Sequence, residues 1–184
     1  MSKPSTPSQT VGPFYSIGFD WLNRTDLTEG AASDSPISIR GRIFDGDGKP
    51  VPDAVLEIWQ ADSDGRYAHT EDPNHRKIEG KPIGFGRVPV NAEGEFRFTT
   101  IKPGSAAAQA PHLVVSIFMR GLLRHLLTRI YFPAVPANDA DPVLRLIPEN
   151  RRSTLIAQID SAEEQTLVWD VHLQGKNETV FFDY

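Results

Sequence analysis

The chain has 184 residues, 39% hydrophobic and 23% charged, the length and balance of one globular domain with a core of its own. A net charge of −5 gives no basic footprint for nucleic acid or an anionic membrane, and with no cysteine there is no disulfide framework, thiolate nucleophile or zinc–thiolate site. The 14 Gly and 15 Pro residues exclude coiled coil and predict many turns between short elements. No apolar run is long enough for a signal sequence or a membrane span, so a cytoplasmic protein is expected, with the sequons at Asn23 and Asn177 left unglycosylated.

Residues 1–35 are polar and turn-rich, with Val11, Phe14, Tyr15, Ile17, Phe19, Trp21 and Leu22 scattered among them, and read as an N-terminal arm. From residue 36 to 184 the pattern is that of a domain. Ile37, Ile39, Gly41 and Ile43 alternate with Ser38, Arg40 and Arg42, the period of two of a half-buried strand. The turn chemistry of Asp45-Gly46-Asp47-Gly48-Lys49-Pro50 predicts a hairpin into 51–60. Further strands are expected at 95–101, with Phe96 and Phe98 inward, and at 112–119, 124–132 and 153–159. The last two are 166–174, with Leu167, Trp169, Val171 and Leu173 inward, and 179–183. One short helical turn is expected around Pro142–Ile147. The pattern predicts an all-β protein, an antiparallel β-sandwich with long loops and an extended N-terminal arm.

Three loops stand out. Residues 61–82 carry Asp62, Asp64, Arg66, Glu71, Asp72, Arg76, Lys77, Glu79 and Lys81 with His69 and His75, a stretch too long for a plain hairpin. Residues 102–111 are alanine-rich between prolines, and 133–142 lead to the C-terminal strands.

Several familiar motifs fail. The Asp45-Gly46-Asp47-Gly48 run has Lys49 at the next calcium-ligand position and no closing Glu. Gly48-Lys49 has no upstream glycine of a phosphate loop, and Gly84-Phe85-Gly86 meets Pro89 where a dinucleotide fingerprint needs a third glycine. There is no Gly-x-Ser-x-Gly elbow.

A longer pattern remains. Ile43, Gly48 and Val51 lead to Leu56-Glu57-Ile58-Trp59-Gln60-Ala61-Asp62, then Gly65 and Tyr67, which describes strand, turn, strand and a tyrosine presented just past a strand end. This block resembles the signature of the intradiol ring-cleavage dioxygenases. The likeness continues through Ile101-Lys102-Pro103-Gly104, Pro111-His112 and Thr128-Arg129-Ile130-Tyr131-Phe132. The opening Thr6-Pro7-Ser8-Gln9-Thr10-Val11-Gly12-Pro13-Phe14-Tyr15 and the ending Glu178-Thr179-Val180-Phe181-Phe182-Asp183-Tyr184 resemble the alpha chain of the two-chain members.

The resemblance implies a β-sandwich in which two tyrosines and two histidines hold a ferric ion. Hard Fe(3+) favours phenolate oxygen, and a catechol dianion can displace solvent and one tyrosinate before O2 opens the ring between its hydroxyl-bearing carbons. Tyr67 matches the first tyrosine ligand. The second follows closely on the Ile-Lys-Pro-Gly segment in catalytic members, but Ser105-Ala106-Ala107-Ala108 stands there, and no tyrosine lies between Tyr67 and Tyr131. The two histidines form a His-x-His, which here reads His112-Leu113-Val114.

With half its donors gone, the chain is expected to bind no metal, Tyr67 and His112 lining a relict cavity. The ferric ion would belong to an iron-bearing beta chain in a hetero-oligomer of αβ units acting on protocatechuate and O2. His125 could replace a ligand but reads as exposed or capped, and His69, His75 and His172 show no ligand spacing. The resemblance then assigns Thr10, Gly12, Pro13, Phe14 and Tyr15 to substrate binding in the partner's cavity, and Arg129 to the catalytic pocket, where a guanidinium favours a benzoate or a developing oxyanion. Alpha chains often place tyrosine directly after Gly-Pro, where this sequence has Phe14 and then Tyr15. The aromatics of the arm would bury against the partner chain. Two alternatives remain: a stand-alone catechol dioxygenase with a non-standard iron site, and a non-enzymatic β-sandwich binding module.

Overall fold

The structure is a computed structural model that describes residues 5–29, 35–73 and 84–183. Among the described residues nine strands run β1 (Ile37–Phe44), β2 (Val55–Gln60), β3 (Phe85–Pro89), β4 (Glu95–Thr100), β5 (His112–Phe118), β6 (Leu126–Tyr131), β7 (Gln158–Ile159), β8 (Thr166–Val168) and β9 (Val171–His172). They form two sheets. The first has the order β4-β1-β8-β7, with β9 also on β1, and the second the order β3-β2-β5-β6. Between them lies one core cluster that includes Ile39, Ile43, Leu56, Ile58, Phe96, Phe98, Leu113, Ile117 and Trp169. Strand alternation builds it, since in β5 the odd-numbered Leu113, Val115 and Ile117 are fully buried while Val114, Ser116 and Phe118 on the other face are half-buried.

The all-β sandwich agrees with the sequence reading, with differences of detail. First, residues 37–60 are not a hairpin. The turn closes locally, Asp45 N–H on Lys49 O at 2.9 Å, but β1 pairs with β4 and β2 with β3 and β5, so the chain crosses between sheets after Pro50. Second, β1 pairs in parallel with β8 and β9.

Third, the strand expected at 166–174 is two strands. The carbonyl of Trp169 presses on Gly41, where a Cβ would come within 1.8 Å of its oxygen, and the carboxylate of Asp170 takes the Arg42 N–H at 2.9 Å that the ladder would otherwise use. Fourth, 153–159 opens as a 3-10 turn and not as strand. Pro148 leads into a short helix, Glu149–Arg152, with acid in its first turn and arginines in its last, then a 3-10 turn to Leu155, leaving only β7 as strand. The segment 179–183 contributes a single bridge, Phe182 to Leu127. The helical turn expected at 142–147 is a 3-10 turn, Leu144–Leu146.

The arm lies on the body. It contains a one-turn helix α1 (Phe14–Ile17) and a 3-10 turn (Asp20–Leu22), and Arg24 bridges to Arg87 of β3. Leu27 enters the main core with no exposed surface. Among the described residues, no helix is long and apolar enough to cross a membrane.

Candidate active-site face

The outer face of the second sheet carries the residues that matter. On it, His112 is opposite Tyr131, and Val114 is opposite both Arg129 and Trp59. Farther along, Glu57 is opposite Arg87 and Ser116, and Phe118 closes the row opposite Val55.

Tyr67 is brought to the first end by backbone packing. Asp62 closes a turn with its carboxylate on the N–H groups of Asp64 and Arg66, both at 2.9 Å, and its carbonyl accepts from Gly65 and Gly104. Gly65 has φ +79° and lies so close under the Ser105 carbonyl that a Cβ would sit 2.0 Å from the oxygen. Only glycine fits there, which gives the Gly-x-Tyr spacing its physical reason. The Tyr67 ring then stacks on Trp59 at 6.0 Å, its backbone N–H bonds Asp72, and it borders a recess of about 710 Å³ lined also by Ala106 and Ala107. Burial raises its pKa above 10.0, against the nearby Arg129.

Next to it, His112 is 5% exposed and donates from Nδ1 to the Ala110 carbonyl at 2.7 Å. Burial lowers its pKa from 6.5, so the ring is neutral at pH 7. Arg129, on β6, donates from Nη1 to Gln109 Oε1 at 2.7 Å and to the Tyr131 hydroxyl at 3.2 Å, and its guanidinium lies 5.8 Å from the Phe182 ring. The Tyr131 hydroxyl donates to Asp141 Oδ1 at 3.2 Å.

The arm residues take the other end of this face. The Thr10 hydroxyl accepts from Gly121 N–H at 2.8 Å, Gly12 is exposed, and Pro13 caps α1. Tyr15 turns inward: its hydroxyl donates to Glu57 at 3.0 Å, its ring packs on Phe118 at 4.9 Å, and Arg87 lies over it at 4.8 Å. Burial, followed by Glu57, pushes its pKa up to about 12. Phe14 points away, 74% exposed, beside Ile17 at 67% and Trp21 at 77%.

Within the chain, Arg129, Tyr67 and His112 thus share one neighbourhood, and the arm residues do not join it. Tyr15 packs on Phe118, four residues along β5 from the Val114 that faces Arg129, roughly 13 Å at about 3.3 Å per residue. His125 stacks on Phe118 and His172 on Phe44, both away from Tyr67, and His75 lies outside the described residues. The sequence reading missed Gln109 and Asp141, although Arg129 and Tyr131 at i and i+2 already marked a shared strand face.

The residues present do not fit a ferric ion. Tyr67 and His112 offer one phenol and one imidazole, His69 at the Tyr67 recess accepts the Glu71 N–H on Nδ1, and the positions that the resemblance gives to the other two donors hold the Ala106–Ala108 turn and the Val114 side chain. The Tyr131 hydroxyl is already engaged by Asp141 and Arg129. Among the described residues no three His, Cys, Asp or Glu side chains are grouped to hold a metal.

Comparison with known proteins supplies the family. A family model described as dioxygenase matches residues 12–175. A protocatechuate 3,4-dioxygenase alpha chain of Burkholderia cepacia is 42% identical, over 97% of this chain and 96% of that one. The beta chain of the same enzyme from that organism is 34% identical, over 84% and 73%. The dioxygenase domain of a dioxygenase carbohydrate-binding protein fusion from Streptomyces sp. SirexAA-E superposes with a TM-score of 0.65 at 26% identity, covering 86% of this chain and 89% of that domain. A sandwich with a Gly-x-Tyr turn at one end of its outer sheet face, matched by these sequences over nearly its whole length, belongs to the intradiol dioxygenase family.

Proposed function

We propose that this chain is the alpha subunit of a cytoplasmic protocatechuate 3,4-dioxygenase, bound to a beta chain that holds the ferric ion. The pair cleaves 3,4-dihydroxybenzoate with O2 to 3-carboxy-cis,cis-muconate. The observation that carries the reading is the donor set: alanines and a valine stand where a second phenolate and a second imidazole are needed. A site left with two of four donors loses most of its metal-binding free energy.

In this reading the chain lends walls to its partner's cavity. Thr10, Gly12 and Pro13 bring a slim backbone to the ring, and Phe14 packs on it. Arg129 pairs with the substrate carboxylate. Since the Tyr15 hydroxyl is spent on Glu57, Phe14 is the aromatic that reaches out, and residues 1–35 serve as the arm that contacts the partner. The exposed row of Phe14, Ile17 and Trp21 supports this, being apolar surface that a second chain would cover.

The test is purification with iron, alone and co-expressed with a beta chain. Alone, the chain should be colourless and inactive; with its partner it should form a burgundy complex that consumes protocatechuate. A coloured, active lone chain would establish the stand-alone dioxygenase instead, and failure to form a complex would leave a binding module. In the complex, Arg129→Ala should raise KM for protocatechuate about tenfold or more with iron content unchanged, the cost of one charge-assisted pair.

A further inference from the structure

Arg129 does not stand alone. Among the described residues it meets no carboxylate directly, and its Nη1 is clamped between two neutral oxygens, Gln109 Oε1 at 2.7 Å and Tyr131 Oη at 3.2 Å. Behind Tyr131 lies Asp141, 1% exposed. Its Oδ1 receives the Tyr131 hydroxyl and the N–H groups of Val143 at 2.9 Å and Leu144 at 2.8 Å, while Oδ2 receives Ala110 N–H at 2.8 Å. The acid is thus held rigidly by backbone from two loops. A phenol has one proton and can accept as well, so donating to Asp141 leaves its lone pair facing Arg129 and gives the chain of bonds one direction.

Gln109 is held as firmly. It ends a turn in which Gln109 N–H bonds Ala106 O at 2.8 Å, with Ala107 and Ala108 at φ +49° and +61°. Left-handed alanine is unfavourable, so this turn keeps its shape at a cost, at the point where it presents an amide oxygen to Arg129.

We infer that Gln109, Tyr131 and Asp141 are positioning residues that hold the Arg129 guanidinium in place, without neutralising it, for the carboxylate of an anionic catechol. A directly bound carboxylate would cancel the charge the substrate needs. Two neutral oxygens fix the fork while leaving its charge free, with the one carboxylate set a phenol away. Burial pushes the Tyr131 pKa up to about 12, so the relay keeps its proton throughout the working range. The inference rests on the proposal that Arg129 meets the substrate carboxylate and extends it to carboxylate selectivity.

The experiment uses the complex with its iron-bearing partner, and compares protocatechuate with the uncharged 3,4-dihydroxybenzamide. Tyr131→Phe and Gln109→Met should each raise KM for protocatechuate roughly fivefold to thirtyfold, leaving kcat, iron content and the benzamide kinetics unchanged. Gln109→Glu, at a half-buried position that tolerates the change, places a carboxylate on the guanidinium and should raise KM for protocatechuate while the benzamide is untouched. If Arg129→Ala abolishes the preference for the anion but the Gln109 variants keep it, the positioning role is overturned and the Arg129 reading stands. Equal losses on both substrates would also overturn it, marking a structural role. If Arg129→Ala leaves the preference intact, the reading beneath it falls as well.

Discussion

Ala107 and Ala108 occupy left-handed backbone that suits asparagine and glycine, with both central residues of a four-residue turn at positive φ. Changing them together to Asn and Gly should stabilise the chain by about 1 kcal/mol, read as a rise of roughly 2–4 °C in Tm for a domain of this size. Two phenols set a second expectation. Tyr15 and Tyr131 are both pushed from 10.0 up to about 12 by burial first. A folded-state pKa above the unfolded one means that their contribution is complete below pH 10 and is lost as pH rises from 10 to 12, on the order of 2 kcal/mol for the fully buried Tyr131 and well below that for the part-exposed, solvent-screened Tyr15. Denaturant unfolding across that range should show the decline, and Tyr15→Phe and Tyr131→Phe should each flatten it. At this scale the sequence was informative about what is missing: no tyrosine follows Tyr67 before Tyr131, and valine stands two after His112. It was silent on Gln109 and Asp141, which reach Arg129 from separate loops that no local spacing relates.

Among the elements, the arm divides into a buried end and an open one. Leu27 fills the core beside Gly86, where a Cβ would meet its Cδ1 at 2.6 Å, so Leu27→Ala should cost about 3 kcal/mol by chemical denaturation. Phe14→Ser or Trp21→Ser, on the exposed row, should leave the stability of the chain within about 0.5 kcal/mol and weaken its complex with the beta chain in sedimentation. Alternation identified β1, β4, β5 and β6, because each is buried on one face. It failed where a side chain or a close approach replaces ladder bonds, as at Asp170 on the Arg42 N–H and Trp169 over Gly41, and where Pro148 and its charged turn start a helix. β3 escaped notice because Gly86, Arg87 and Pro89 do not look like strand, and the arm covers Arg87, leaving it 3% exposed.

Over the whole molecule, sheet order depends on contacts between distant parts of the chain, which short-range pattern does not report. The sandwich itself was legible, since short alternating strands bounded by Gly and Pro have few other ways to bury one face. That β1 leaves β2 and finds β8 and β9 was not, because the Asp45–Lys49 turn satisfies every local rule of a hairpin while the flanking strands pair elsewhere.

The parallel contact of β1 with the last strands bears on synthesis. Ile39 lies against Leu167 and Ile43 against Val171, so the first sheet is incomplete until residues 166–172 have left the ribosome. Nascent chains stalled near residue 150 should therefore remain open to protease, while full-length released chains resist it. Phe14, Ile17 and Trp21 are made well before those strands and stay exposed throughout that wait, so on the proposed reading chaperones should bind this row until a partner chain covers it.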